Sequence, residues 1–185
     1  YYTNKVGTVK QAEEAEKTAG WGECDPEGSK AWSAVGYYFA KKLSAELGVT
    51  VGLIGCNWGG TSASAWVDRK TLDTNKELNS YLEEYDKAIE GKSVQQQEKE
   101  YDEYLEYDKA WNEKSAEVYK NEPGASWERV VELCGENKWP GPINCFNPYR
   151  PTGLFETMIL RVCPYTLRGF LYYQGESDDH KPKSY

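Results

Sequence analysis

A chain of 185 residues has the length of one domain, and a domain of that size can bury roughly 70% of the surface its unfolded chain exposes. Its net charge of -8 excludes nucleic acid and anionic membrane surfaces as expected partners, because either would require a basic patch to displace counterions. No run of roughly eighteen apolar residues is present to span a bilayer. Seven Trp and fifteen Tyr supply bulk that aliphatic residues usually provide, and such side chains both fill cores and line sugar clefts.

The first residues, Tyr1-Tyr2-Thr3-Asn4-Lys5, lack an initiator Met and the basic start and apolar stretch of a signal peptide, as expected of a processed or truncated chain. Residues 1 to 28 are polar and rich in Glu, Lys and Gly, with a turn cluster at Cys24-Asp25-Pro26-Glu27-Gly28, and read as irregular surface structure. Ser29 is placed to cap a helix running to Leu47, where Trp32, Val35, Gly36, Phe39, Ala40 and Leu43 recur at helical spacing and Gly48 supplies the stop. Val49-Thr50-Val51-Gly52-Leu53-Ile54-Gly55-Cys56 is apolar and β-branched, as expected of a buried strand in a parallel sheet. Helix followed directly by strand points to an α/β fold.

From 71 to 121 the texture changes to charged, Tyr-rich helix, with stripes at Leu78, Tyr81, Leu82 and Tyr85 and at Tyr101, Tyr104, Leu105, Trp111, Val118 and Tyr119. These predict an antiparallel helical hairpin broken at Gly91-Lys92-Ser93, an inserted structural subdomain able to wall a cleft. A short helix capped by Ser126 follows, then a Pro- and Asn-rich loop through Trp139-Pro140-Gly141-Pro142 and Asn147-Pro148-Tyr149-Arg150-Pro151. Long structured loops of this kind often border functional sites. Leu154 to Ile159 predicts a turn or two of helix, and Leu167-Arg168-Gly169-Phe170-Leu171-Tyr172-Tyr173 a second buried strand. The expected organisation is residues 1–70 as the first part of a catalytic domain, 71–136 as a helical insertion and 137–185 as the return to that domain.

Each predicted strand delivers a glycine-centred motif. After the first come Asn57-Trp58-Gly59-Gly60-Thr61, and after the second Gln174-Gly175-Glu176-Ser177-Asp178. In open α/β sheets the carboxyl ends of strands form the ligand crevice, so the two motifs are expected to meet at one site. Gly59-Gly60 allows close approach to exposed backbone N–H groups that can hold an oxyanion, and Thr61 and Ser62 can start a helix. Gln174 offers an amide and Glu176 a carboxylate. Taken singly, each motif also reads as a plain solvated turn. A P-loop is excluded, since the Lys-Ser/Thr pair is absent.

The string from Val51 to Trp66 resembles the "PIGLI..SWGGT..EAW" segment of the sialate O-acetylesterase family, within the SGNH-hydrolase superfamily. Trp32 to Ala40 resembles that family's "SAVGYYFA..L" helix, and Pro164 to Asp178 its "P..IKGVIWYQGESN" strand and loop. The three similarities occur in family order and cover residues 29–67 and 151–185. The resemblance implies a three-layer α/β/α sandwich and serine-based hydrolysis of acetyl esters on glycans, without metal or cofactor. It implies that Gly60 donates its N–H and Gln174 its amide to the oxyanion, with Gly59 shaping the loop and Glu176 bracing it. Asn57, Trp58, Thr61, Trp66 and Asp178 are the implied substrate-binding positions.

The family's Gly-Gln-Ser-Asn nucleophile segment is absent here, and no Asp-x-x-His segment follows the Gln-Gly-Glu loop. Ser62 and Ser64 read as helix-start residues, and the sole histidine, His180, as an exposed side chain. The chain is therefore expected to supply the oxyanion hole and part of the cleft for an O-acetylated carbohydrate while nucleophile and base lie elsewhere, in the remainder of its own esterase domain. The alternative is a non-catalytic carbohydrate-binding module using Trp58, Trp66, Tyr172 and Tyr173 as sugar platforms. An extracellular or periplasmic location is the expected one, with a cytoplasmic location left open. Five cysteines without CxxC spacing argue against zinc and leave a Cys134–Cys145 disulfide or buried thiols open.

Overall fold

The computed structural model of the chain describes residues 1, 3–181 and 183. Among the described residues it is 54% helical with 1% strand and no sheet, which overturns the expected α/β sandwich. Seven α-helices run in chain order among the described residues: α1 (Val9–Glu16), α2 (Ala34–Leu47), α3 (Arg69–Leu72), α4 (Lys76–Ile89), α5 (Val94–Asn121), α6 (Trp127–Cys134) and α7 (Leu160–Val162). Short 3-10 turns at Gly28–Ala31, Ala63–Trp66 and Glu176–Asp178 and a π-turn at Phe155–Ile159 complete the elements.

The first predicted strand is extended but, among the described residues, has only one short neighbour. Leu53 and Gly55 exchange backbone bonds with the N-terminal residues: Tyr1 N donates to Leu53 O at 3.1 Å, Gly55 N to Tyr1 O at 2.9 Å and Thr3 N to Gly55 O at 2.9 Å. Among the described residues the second predicted strand, 167–173, joins no sheet. Phe170, Tyr172 and Tyr173 are 84%, 75% and 92% exposed. Local apolar and β-branched content fits a pleated surface, but a strand persists as a sheet only where neighbouring strands satisfy its N–H and C=O groups.

Helix boundaries follow local chemistry more closely. Ser33, not Ser29, caps α2, accepting from Gly36 N, because Gly28–Ala31 forms a separate 3-10 turn. Gly48 closes α2 in the left-handed region at φ 64°. Of the predicted apolar stripe on α2, Gly36 and Ala40 are buried while Val35 and Phe39 stand in solvent. Residues 1–28 are not wholly irregular: Thr8 and Gln11 form a reciprocal capping box that starts α1. The break at Gly91-Lys92-Ser93 is present, with Ser93 and Gln96 forming the capping box of α5. Instead of pairing with α4 in a hairpin, α5 packs chiefly on α6, where the Trp111 and Trp127 rings lie 5.6 Å apart and Trp111 Nε1 donates to Gly135 O at 2.8 Å.

The central buried cluster is small: Ala65, Leu154 and Met158, with Cys56, Trp58 and Trp66 packed against it. The chain exposes 12,794 Å2, against about 9,000 Å2 for a compact monomer of 21.1 kDa. Apolar surface on α2 and on 167–173 accounts for part of that excess. No described helix is long and apolar enough to cross a membrane. All five cysteines are free thiols, so the Cys134–Cys145 pairing is not made.

Candidate functional site

The segment 56–66 lies over the central cluster, with Trp58 and Trp66 facing inward and Gly59-Gly60 turned to solvent. Thr61 locks this turn from inside. Its Oγ1 donates to Trp58 O at 2.8 Å and accepts from Trp66 Nε1 at 2.8 Å, so Thr61 and Trp66 satisfy each other. Gly60 adopts φ 73°, a conformation glycine holds without steric penalty. A Cβ there would also sit 3.0 Å from Trp139 Cζ2. Among the described residues, neither the Gly59 nor the Gly60 N–H donates a hydrogen bond, which leaves two exposed main-chain donors side by side.

The two glycine motifs meet through Asp178, which is buried at 1% exposure. Its Oδ1 accepts from Ser62 Oγ at 2.5 Å and from Tyr81 OH at 3.0 Å. Its Oδ2 accepts from Ala63 N at 2.8 Å and from Gln174 Nε2 at 2.7 Å. Four neutral donors thus replace the water a buried carboxylate loses. Burial pushes the carboxyl pKa up, but the bonds from Ser62, Ala63, Gln174 and Tyr81 outweigh it, and the net position is below the ordinary value. The Tyr81 phenol moves the other way, to about 12, through burial and then its bond to Asp178. Ser62 has one proton, which Asp178 takes; Ser64 Oγ, 2.9 Å away, then donates to Ser62.

Gln174 also donates from Nε2 to Thr61 O at 3.2 Å. Both amide hydrogens are thus committed at the junction of the motifs, and donation to a ligand would require the longer Thr61 bond to yield. Glu176, expected to brace the loop, is exposed and accepts from the Tyr173 hydroxyl, raising that phenol's pKa. The bracing carboxylate is Asp178. Asn57 is exposed beside Trp58. His180 is exposed, 3.8 Å from the Asp179 carboxylate.

A third element borders the glycine turn. Trp58, Tyr149 and Trp139 form a chain of edge-on rings, with centroids 5.8 Å apart for Trp58–Tyr149 and 5.6 Å for Trp139–Tyr149. Lys5 Nζ lies 6.0 Å from the Trp58 ring. The loop carrying Trp139 and Tyr149 is held by buried amides. Asn147 Nδ2 donates to Pro140 O and Pro142 O, both at 2.9 Å, while its Oδ1 accepts from Tyr149 N at 2.8 Å. Asn144 Nδ2 donates to Gln97 O at 2.9 Å, and Gln97 Oε1 accepts from Cys145 N at 3.1 Å, fastening the loop to α5. Gly141, at φ 86°, leaves room for the Tyr104 ring, which a Cβ would meet at 2.5 Å.

The sequence motifs therefore converge without a sheet to carry them. Ser62, Tyr81, Trp139 and Tyr149 had no assigned part at the site. Tyr81 reads as one position of an apolar helix stripe, and only the Pro- and Asn-rich composition of the loop marks Trp139 and Tyr149. No protein-family model matches the chain, and neither the curated proteins nor the solved structures contain a significant match to it.

Proposed function

We propose that this chain supplies the oxyanion-binding turn and part of the sugar cleft of a carbohydrate O-acetylesterase. The observation that carries the reading is the Asp178 junction, which holds the Gln174 loop against Thr61-Ser62-Ala63 while the Gly59 and Gly60 N–H groups stay open to solvent. Such preorganised main-chain donors suit the negative charge that develops on an acetyl carbonyl oxygen under nucleophilic attack. In this reading Gly60 donates to the oxyanion and Asp178 acts as a positioning residue. Ser62 is bound to a carboxylate and caps a turn, so the attacking serine and the histidine that accepts its proton come from outside residues 1–185. Attack forms an acetyl-serine and releases the sugar hydroxyl with the proton returned by the histidine; water then releases acetate.

The test is acetate release from p-nitrophenyl acetate and from O-acetylated sialic acid by the polypeptide of the complete reading frame. The reading expects a Gly-Gln-Ser-Asn serine in that polypeptide whose replacement by alanine abolishes release. Activity surviving that replacement, or no release from either ester, sinks it. A second reading, a glycan-binding module without hydrolysis, is favoured by the commitment of both Gln174 amide hydrogens and by the exposed Trp139 ring beside Gly60.

A further inference from the structure

We infer that the exposed Trp139 ring, braced edge-on by Tyr149, forms a stacking platform for a pyranose ring of β-gluco or β-galacto configuration beside the Gly59-Gly60 turn. The inference rests on the proposed carbohydrate role of that turn and adds the residues that grip the sugar itself.

Trp139 is 51% exposed although its loop is held by the buried Asn147 side chain, which donates to Pro140 O and Pro142 O. A mobile loop would let an indole fold onto apolar surface; here Asn147, Asn144 and Gln97 hold the backbone, so the ring's exposure is built in. An exposed aromatic held rigid loses little entropy on binding. The Trp139 ring also packs against Gly60, where no side chain fits between them, so the platform and the open main-chain donors belong to one surface. That pairing is what a pyranose needs. The axial C–H groups of one face pack on an aromatic ring, while hydroxyl or acyl oxygens at the ring edge accept from N–H groups. A purely apolar occupant would leave the Gly59 and Gly60 N–H groups without acceptors, at a cost.

Isothermal titration of the 185-residue chain with cellotetraose and with methyl β-galactopyranoside tests the inference. At least one of the two is expected to bind in the millimolar range or tighter. Trp139→Ala is expected to weaken binding about tenfold, and Trp139→Tyr to restore most of it. Trp21→Phe, at an exposed aromatic far along the chain, is expected to bind like the parent. No binding by the parent overturns the inference, as does unchanged binding in a folded Trp139→Ala protein. If Trp139→Ala fails to fold, weakened binding in Tyr149→Leu supports the platform and unchanged binding overturns it. Sugar binding that depends on Trp139, with no acetate release by the polypeptide of the complete reading frame, leaves the platform standing and removes the esterase reading. Acetate release without sugar binding by this chain does the reverse.

Discussion

The Ser62 hydroxyl donates to the Asp178 carboxylate at 2.5 Å across 116 positions of sequence, and this bond is one of three that join residues 61–63 to the Gln174–Asp178 loop. Because Asp178 is buried and every donor to it is neutral, the junction depends on its negative charge. Asp178→Asn keeps the shape but turns an acceptor into an NH2 group facing N–H or O–H donors. A loss of about 2–3 kcal/mol in urea unfolding is expected. Ser62→Ala should cost about 1 kcal/mol, and the double variant less than the sum, since both remove the same bond. Strict additivity would show that the bond contributes nothing to the junction.

The same carboxylate sets an acid limit. Its folded pKa lies below the unfolded value of about 3.9, so the stability it contributes is full above that value and is lost as pH falls through the folded pKa. Tyr81 sets the alkaline limit. Its folded pKa, about 12, lies above the ordinary 10.0, so its contribution is full below pH 10 and fades as pH rises toward 12. Unfolding midpoints measured from pH 2 to 12 should be flat between about pH 5 and 9 at this junction, and Asp178→Asn should flatten the acid limb.

Gly60 is constrained twice, by its positive φ and by the Trp139 ring. Gly60→Ala should destabilise the chain by about 1–2 kcal/mol, and adding Trp139→Ala should recover the part due to contact with the ring. A double-variant cycle by thermal or urea unfolding measures that recovery. Equal loss with and without Trp139 would place the whole cost in the backbone.

Asn147 carries the loop that presents Trp139 and Tyr149. Asn147→Ala removes the donor to Pro140 O and Pro142 O and the acceptor of the Tyr149 N–H, and should cost about 1–3 kcal/mol. Amide hydrogen exchange should report the release of Tyr149 N–H in that variant, with α6 protected as before.

Thiol labelling should separate the cysteines. Cys24 and Cys163 are exposed and should react quickly with a disulfide reagent at pH 8, while Cys56, whose pKa burial raises, should react slowly until the chain unfolds. All five should label in denaturant without prior reduction.

Much of the helical content was determined by the sequence alone, because helix starts and stops depend on a few adjacent side chains. Ser93, Ser126 and Gly48 mark boundaries through bonds and conformations reaching only three or four residues. The Thr8–Gln11 capping box at α1 was equally legible in its spacing, though masked by polar composition. Pairing was not legible. Whether 49–56 or 167–173 becomes a strand depends on neighbours far along the chain, and among the described residues only the N-terminal segment provides one. The two glycine motifs stood out by their glycines and amide, yet their joining depends on Asp178 and Tyr81, whose burial is a property of packing. Likewise, the exposure of Trp139 is decided by amides on α5 and within its own loop, which no local pattern around residue 139 encodes.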